Sequence, residues 1–284
     1  MQSCFHPRNL IKTAVERIRT WTLSLEFQVD EPLDLYLSSL ELTKLPPLPS
    51  SLTELYCFNN YLTTLPILPS ALISLYCECN YLTTLPALPA TLTHLNCLSN
   101  RLCTLPELPA SLTSLYCSDN LLNAFPVLPE QIKLLICTSN NLTILPTFPA
   151  NLKILCCEYN HLSLLPALPD TLTMLCCENN DLTALPALPA TLTFLSCRNN
   201  RLMDLPPLPT SLQCLMCDGN YFPNRIEGEP VLVFETRIRV WNQEQSRQRI
   251  QARMRRFKEE LMMNRWHPAR MDTYLEAGVD VDEL

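Results

Sequence analysis

From Leu52 to Asn220 the chain repeats itself every 20 residues, with no insertion or deletion. Asn recurs at 60, 80, 100, 120, 140, 160, 180, 200 and 220, and Cys recurs three positions ahead of each, from Cys57 to Cys217. Leu stands at 55, 75 and onward to 215. Pro runs from Pro46 to Pro206, and again three residues later from Pro49 to Pro209, so these two rows take 18 of the 25 prolines. A period this strict leaves few folds open. Each unit is too short to bury its own apolar stripe, so like units must stack on one another.

One unit reads Leu52-Thr-Glu-Leu55-Tyr-Cys57-Phe-Asn-Asn60-Tyr-Leu62-Thr-Thr-Leu65-Pro66-Ile-Leu68-Pro69. It matches the leucine-rich-repeat template L-x-x-L-x-L-x-x-N-x-L, with Cys in the third apolar slot. Alternation around Leu55 and Cys57 predicts a short strand with both residues inward and Glu54, Tyr56 and Phe58 outward. Asn60 is expected to end the strand and to satisfy backbone groups freed by the turn. Pro66 and Pro69 forbid a helix on the return path and predict extended, polyproline-like segments. The expected fold is an α/β repeat solenoid. It is a leucine-rich-repeat horseshoe with short parallel strands on a concave face, an extended convex side, and helical caps at both ends.

Three segments follow. Residues 33–224 form about ten 20-residue units, beginning with a degenerate copy that has Leu40 where the others have Asn. Residues 1–32 read as an N-terminal cap, with helical spacing over Leu10–Trp21 and alternation over Leu23–Val29. Residues 225–284 read as a C-terminal cap. There, Asn242 and Gln245 suggest a helix start, and Ile250, Met254, Phe257 and Leu261 give an amphipathic stripe over Asn242–Met263. An acidic tail closes the chain, with five acids over Asp272–Leu284.

The unit LPxLPxxLxxLxCxxNxLxxLP resembles the 20-residue repeats of bacterial secreted effectors of the YopM and IpaH type. That resemblance covers roughly residues 33–222 and implies a curved solenoid acting on host proteins inside a host cell. Two departures stand out. The inward slot holds Cys rather than a small aliphatic residue. About 60 residues follow Asn220, none of them Cys, so the ligase activity of the longer members is not carried over. The stretch Lys258–Gly278 also resembles a closing segment of repeat proteins from large DNA viruses.

Candidate chemistry is sparse. With only three glycines, no phosphate-cradling loop exists, and the four histidines form no pair with a carboxylate or Cys. No catalytic residue and no cofactor are expected. The row Cys57–Cys217 reads as small buried hydrophobes, since a one-sided row cannot surround a metal and none is expected. Cys156 and Cys176 lie in the outward slot instead and could be accessible thiols. Glu158 and Glu178 are expected side by side on the same face. Fifteen cysteines, an odd number, and no h-region over residues 1–28 predict reduced thiols in an intracellular compartment, with the host cytoplasm implied by the resemblance. No apolar run approaches the roughly 18–20 residues that span a bilayer.

The outward slots carry the functional reading. Leu134, Ile136, Ile154, Met174 and Phe194 are expected to form an apolar patch, extended by Met216 and flanked by Tyr56, Tyr76 and Tyr116. The core does not need apolar side chains there, and such patches mark partner sites. The expected function is a non-enzymatic module that binds a partner protein on this face. An alternative is a substrate adaptor recruiting a ubiquitin ligase through the C-terminal helices. A third reading starts from Arg237–Lys258, where eight basic residues meet one acid. Arg247, Arg249, Arg253, Arg255, Arg256 and Lys258 could hold an anionic partner, a nucleic acid or a membrane surface. The net charge of −7 disfavours nucleic acid: residues 33–224 hold 13 acids and 6 bases, which accounts for all of it. Monomer and self-associating chain both remain open.

Overall fold

The computed structural model describes residues 33–265, apart from 225, 227 and 228. The N-terminal cap, the acidic tail and the virus-like closing segment beyond residue 265 fall outside the described residues. Ten strands, β1 (Leu33–Tyr36), β2 (Leu52–Tyr56), β3 (Ser74–Tyr76), β4 (His94–Asn96), β5 (Ser114–Tyr116), β6 (Leu134–Ile136), β7 (Ile154–Cys156), β8 (Met174–Cys176), β9 (Phe194–Ser196) and β10 (Cys214–Met216), form one sheet in chain order. Every neighbouring pair is parallel, and from Leu55↔Leu75 onward like residues face like residues. The sequence period and the structural period are therefore the same. The one irregularity sits between Leu33 and Asp34, in the degenerate first copy.

The core is a set of apolar columns. In the seventh unit Leu152, Leu155, Cys157 and Leu162 are fully buried, and the equivalent residues of neighbouring units lie above and below them. Full burial of each such leucine is worth about 1.5–3 kcal/mol. No helix forms on the return path, as the two proline rows require. Each second Pro instead opens a tight turn, with the amide of Leu152 donating to the Pro149 carbonyl at 3.2 Å and that of Leu172 to Pro169 at 3.1 Å.

The asparagine row does what its chemistry permits. Asn140 Oδ1 accepts from the Leu122 amide at 2.9 Å, while Nδ2 donates to the carbonyls of Cys117 and Cys137 at 3.1 Å each. One buried side chain thus ties the end of its own strand to the previous unit. Where Leu40 replaces Asn, Asn60 alone serves the junction, and its Oδ1 accepts from both Leu40 N and Leu42 N.

A second periodic device went unread in the sequence. The residue before each ladder Asn has a positive φ: Asn59 at 54°, Cys79 at 54°, Tyr159 at 53°, and Gly219 at 74°. This left-handed geometry turns the strand into the return path and costs an ordinary side chain roughly 1–2 kcal/mol. Asn and Asp tolerate it and Gly prefers it; Tyr159 gains nothing from it. Tyr159→Gly is expected to raise the unfolding free energy by about 0.5–1 kcal/mol, after the extra chain entropy of Gly is discounted. Urea unfolding would show this as a higher midpoint with an unchanged slope, and a lower midpoint would contradict it.

The chain divides into two compact units at Val231 and Leu232. The second contains a helix, α1 (Val231–Arg265). It begins eleven residues before the expected start at Asn242, so the Asn242–Gln245 pair lies inside the helix and caps nothing. Pro230 is the start signal that was missed, because a residue without an amide proton suits the first turn. The expected stripe residues Ile250 and Met254 lie on this helix, four positions apart, and both are exposed. Nearer its start, Val233 and Val240 are exposed as well. Among the described residues no helix is long and apolar enough to cross a membrane.

Candidate functional site

Alternation within each strand sends two side chains outward, and a third follows just after the strand. These positions build three rows across the sheet at the spacing of parallel strands, about 4.8 Å. The first row runs from Glu54 to Cys214, the second from Tyr36 to Met216, and the third from Phe58 to Asp218.

The aromatic end of the second row is ordered. Tyr56 stacks between Tyr36 and Tyr76, with ring centroids 4.6 and 4.7 Å apart and planes within 9° and 4° of parallel. Tyr56 Oη donates to Glu54 Oε2 at 2.5 Å, and this bond, with smaller help from burial, pushes the Tyr56 hydroxyl well above its usual value. Tyr116 stands apart from the stack because Asn96 occupies the slot between. Tyr36 was missed in the sequence, since it belongs to the degenerate copy. A second aromatic row lies at the turn edge: Tyr61 and Tyr81 stack at 6.0 Å, and the Arg101 guanidinium lies 4.6 Å from the Tyr81 ring.

The apolar patch is brought together as expected. Leu134, Ile154, Met174 and Phe194 are consecutive partners in one row, and Ile136 adjoins Leu134 across the buried Leu135. All five are half-buried rather than open, because each lies in register beside its neighbours. Met216 is half-buried at the far end. Three outward slots are closed: Ser74, Ser118 and Ser196 are buried, being too short to rise above their neighbours.

The thiols divide into two classes. The inward row from Cys57 to Cys217 is buried throughout. Burial pushes the thiols of Cys57 and Cys97 up to about 12, and it raises those of Cys77, Cys117, Cys137, Cys157, Cys177 and Cys197 well above the ordinary value. Several donate to the next unit, as Cys137 Sγ does to the Cys156 carbonyl at 3.4 Å. A sulfhydryl therefore fills the volume of a small hydrophobe and adds a weak bond. Cys79 and Cys103 are exposed, while Cys156, Cys176 and Cys214 are half-buried.

Cys156 and Cys176 are direct partners across β7 and β8. Their thiols share a hydrogen bond that lowers Cys156 against the effect of burial and raises Cys176. Glu158 lies beside them. Burial raises its carboxyl, and Thr138 Oγ1 donates to its Oε2 at 3.0 Å. Glu178 accepts from Ser196 Oγ at 3.0 Å. Toward the end of the array Arg201 pairs with Asp181 at 2.6 Å and Arg198 with Asp218 at 3.4 Å, exposed ion pairs worth at most about 1 kcal/mol each.

In the second unit Arg247, Arg249, Arg253 and Arg255 are exposed on α1, and Arg256 and Lys258 lie on the same helix.

No protein-family model matches the chain, and no relative was found among curated proteins. Solved structures do match. YopM from Yersinia enterocolitica is 34% identical with a TM-score of 0.60, over 69% of this chain and 49% of that one. A Shigella effector leucine-rich-repeat domain is 36% identical with a TM-score of 0.50, over 55% of this chain and 68% of that one. The functional domain of InlJ from Listeria monocytogenes, which includes a cysteine ladder, is 31% identical with a TM-score of 0.55 over 62% of this chain. The chain spans about half the length of the YopM structure and 41% of the InlJ structure.

Proposed function

The chain belongs to the effector-like leucine-rich-repeat proteins, and from that premise we propose that it is a non-enzymatic module that docks a partner protein on its strand-lined face. The row Leu134, Ile154, Met174, Phe194 carries this reading. Four apolar side chains stand in register on the side of the sheet turned away from the core, where stability does not require them. Tyr116 adjoins the patch at Ile136, and the stacked tyrosines farther along the same sheet add rigid, amphipathic contact area of the kind enriched in binding hot spots. The effector relatives favour a host protein as the partner, met in a reducing host compartment.

The test is capture from a eukaryotic host-cell lysate by the intact chain and by an Ile136→Asp, Ile154→Asp, Phe194→Asp variant. A control carries Ile67→Asp and Val127→Asp, at sites 89% and 86% exposed on the return path. Three buried charges at a hot spot are expected to weaken binding at least 100-fold, on the order of 2 kcal/mol or more per anchor. The control is expected to bind like the parent, and circular dichroism confirms that each variant is folded. Equal capture by both folded variants would remove the face from consideration and leave the basic helix as the docking element.

A further inference from the structure

We propose that Cys156, Cys176 and Glu158 form a binding site for one zinc ion on the strand-lined face. The two sulfur atoms and a Glu158 carboxylate oxygen all lie within 4.8 Å of one another. The fold produces this meeting directly. Cys156 and Cys176 are register partners on adjacent parallel strands, and Glu158 follows Cys156 by two residues on the same face. No other described residues bring three such donors together.

The donor set selects the ion. Two thiolates disfavour magnesium and calcium, which take oxygen, while a carboxylate disfavours copper(I), which prefers sulfur alone. Zinc accepts both. With Zn–S near 2.3 Å and Zn–O near 2.1 Å, tetrahedral binding places the donors about 3.5–3.8 Å apart. Binding asks the three donors, which already lie within 4.8 Å of one another, to draw closer.

A disulfide fits the same pair less well. It needs sulfurs about 2.05 Å apart and β-carbons about 3.8 Å apart. Opposed residues on parallel strands hold their β-carbons near the strand spacing of about 4.8 Å and point them the same way. An ion between the sulfurs bridges a gap that a covalent bond would have to close by moving the backbone.

Neighbouring groups support the ion. The Thr138 hydroxyl holds the Glu158 carboxylate by a 3.0 Å bond, and the Glu178 carboxylate next to it adds negative charge. Cys214 is half-buried on the same face, but its register neighbour is Phe194, so it finds no second sulfur. The inward thiols are sealed from solvent. Three protein ligands leave a fourth position for water or for a donor from a docked protein. The site does not depend on what the face docks.

Cobalt(II) added to the reduced, intact chain tests the assignment, because tetrahedral thiolate–cobalt centres absorb strongly in the near ultraviolet and visibly. The expected result is one cobalt per chain with both absorption features, bleached by one equivalent of zinc. Cys156→Ser and Cys176→Ser should each abolish them, and Cys214→Ser should leave them unchanged. Glu158→Gln should keep the sulfur absorption and weaken binding on the order of 10–100-fold. Far-ultraviolet circular dichroism confirms that each variant is folded. The absence of a tetrahedral spectrum, or its persistence in the Cys156→Ser, Cys176→Ser double variant, overturns the site. Unchanged affinity in Glu158→Gln overturns the role of that residue.

Discussion

Asn140→Ala is expected to lower the unfolding free energy by about 2–3 kcal/mol, more than a typical point substitution. Deleting the amide orphans the buried Leu122 N–H and removes one of two donors from the Cys117 and Cys137 carbonyls, which keep Asn120 Nδ2 and Asn160 Nδ2 at 3.1 Å each. The orphaned N–H costs roughly 1–3 kcal/mol, since alanine admits no water to replace the amide, and each carbonyl that drops to one donor adds a smaller loss. The loss has a further effect in a stack. Units are held only by their neighbours, so a damaged junction in the middle uncouples the arrays on either side. Urea unfolding should therefore show a lower midpoint and a broader transition. Asn220→Ala removes the same kinds of bond at the end of the array, where the groups are only partly buried. Its loss should be less than half as large. Equal effects at the two positions would contradict the argument.

Alkaline pH should unfold the chain abruptly. Eight inward thiols, from Cys57 to Cys197, have values raised by burial to about 12 or well above the ordinary value. An unfolded cysteine ionises near 8.5. Below that pH both states hold the proton and the thiols do not affect stability. Above it the unfolded chain releases protons that the folded chain keeps, so stability falls as pH rises. The slope is about 1.4 kcal/mol per pH unit for each thiol, and eight together give a slope on the order of 10 kcal/mol per unit. A typical domain has 5–15 kcal/mol in all. Loss of structure is expected within about one unit above pH 9, followed by circular dichroism under reducing conditions. Cys117→Ala, Cys137→Ala and Cys157→Ala together should flatten the slope by about a third, at some cost in packing. A fold that persists at pH 11 would show that the thiols are not sealed.

The period alone makes most of the fold legible in the sequence. Nine in-phase Leu, Cys and Asn positions fix which residues face inward, and the proline rows exclude a helical return path. What escaped notice has physical reasons. The left-handed residue before each Asn is Asn, Ser, Asp or Gly in most units, a pattern that Cys79 and Tyr159 obscure. Tyr36 joins the aromatic stack from a unit whose own Asn is lost, so the motif did not mark it. Outside the repeats only local cues were available, and the capping pair at Asn242 outweighed Pro230. On the outward face the apolar row was legible from register alone. The meeting of Glu158 with Cys156 and Cys176 was not, because a carboxylate two residues along one strand reaches a neighbour only through side-chain geometry.

The constant offset between neighbouring strands makes the number of units a free parameter. Excising one whole unit between Leu52 and Asn220, or duplicating one, would rejoin surfaces that already fit, since every junction uses the same contacts. No new interface would have to arise. The array can thus lengthen or shorten in whole steps, like a ruler cut at its graduations. Each step changes its reach and shifts the outward side chains by one strand spacing.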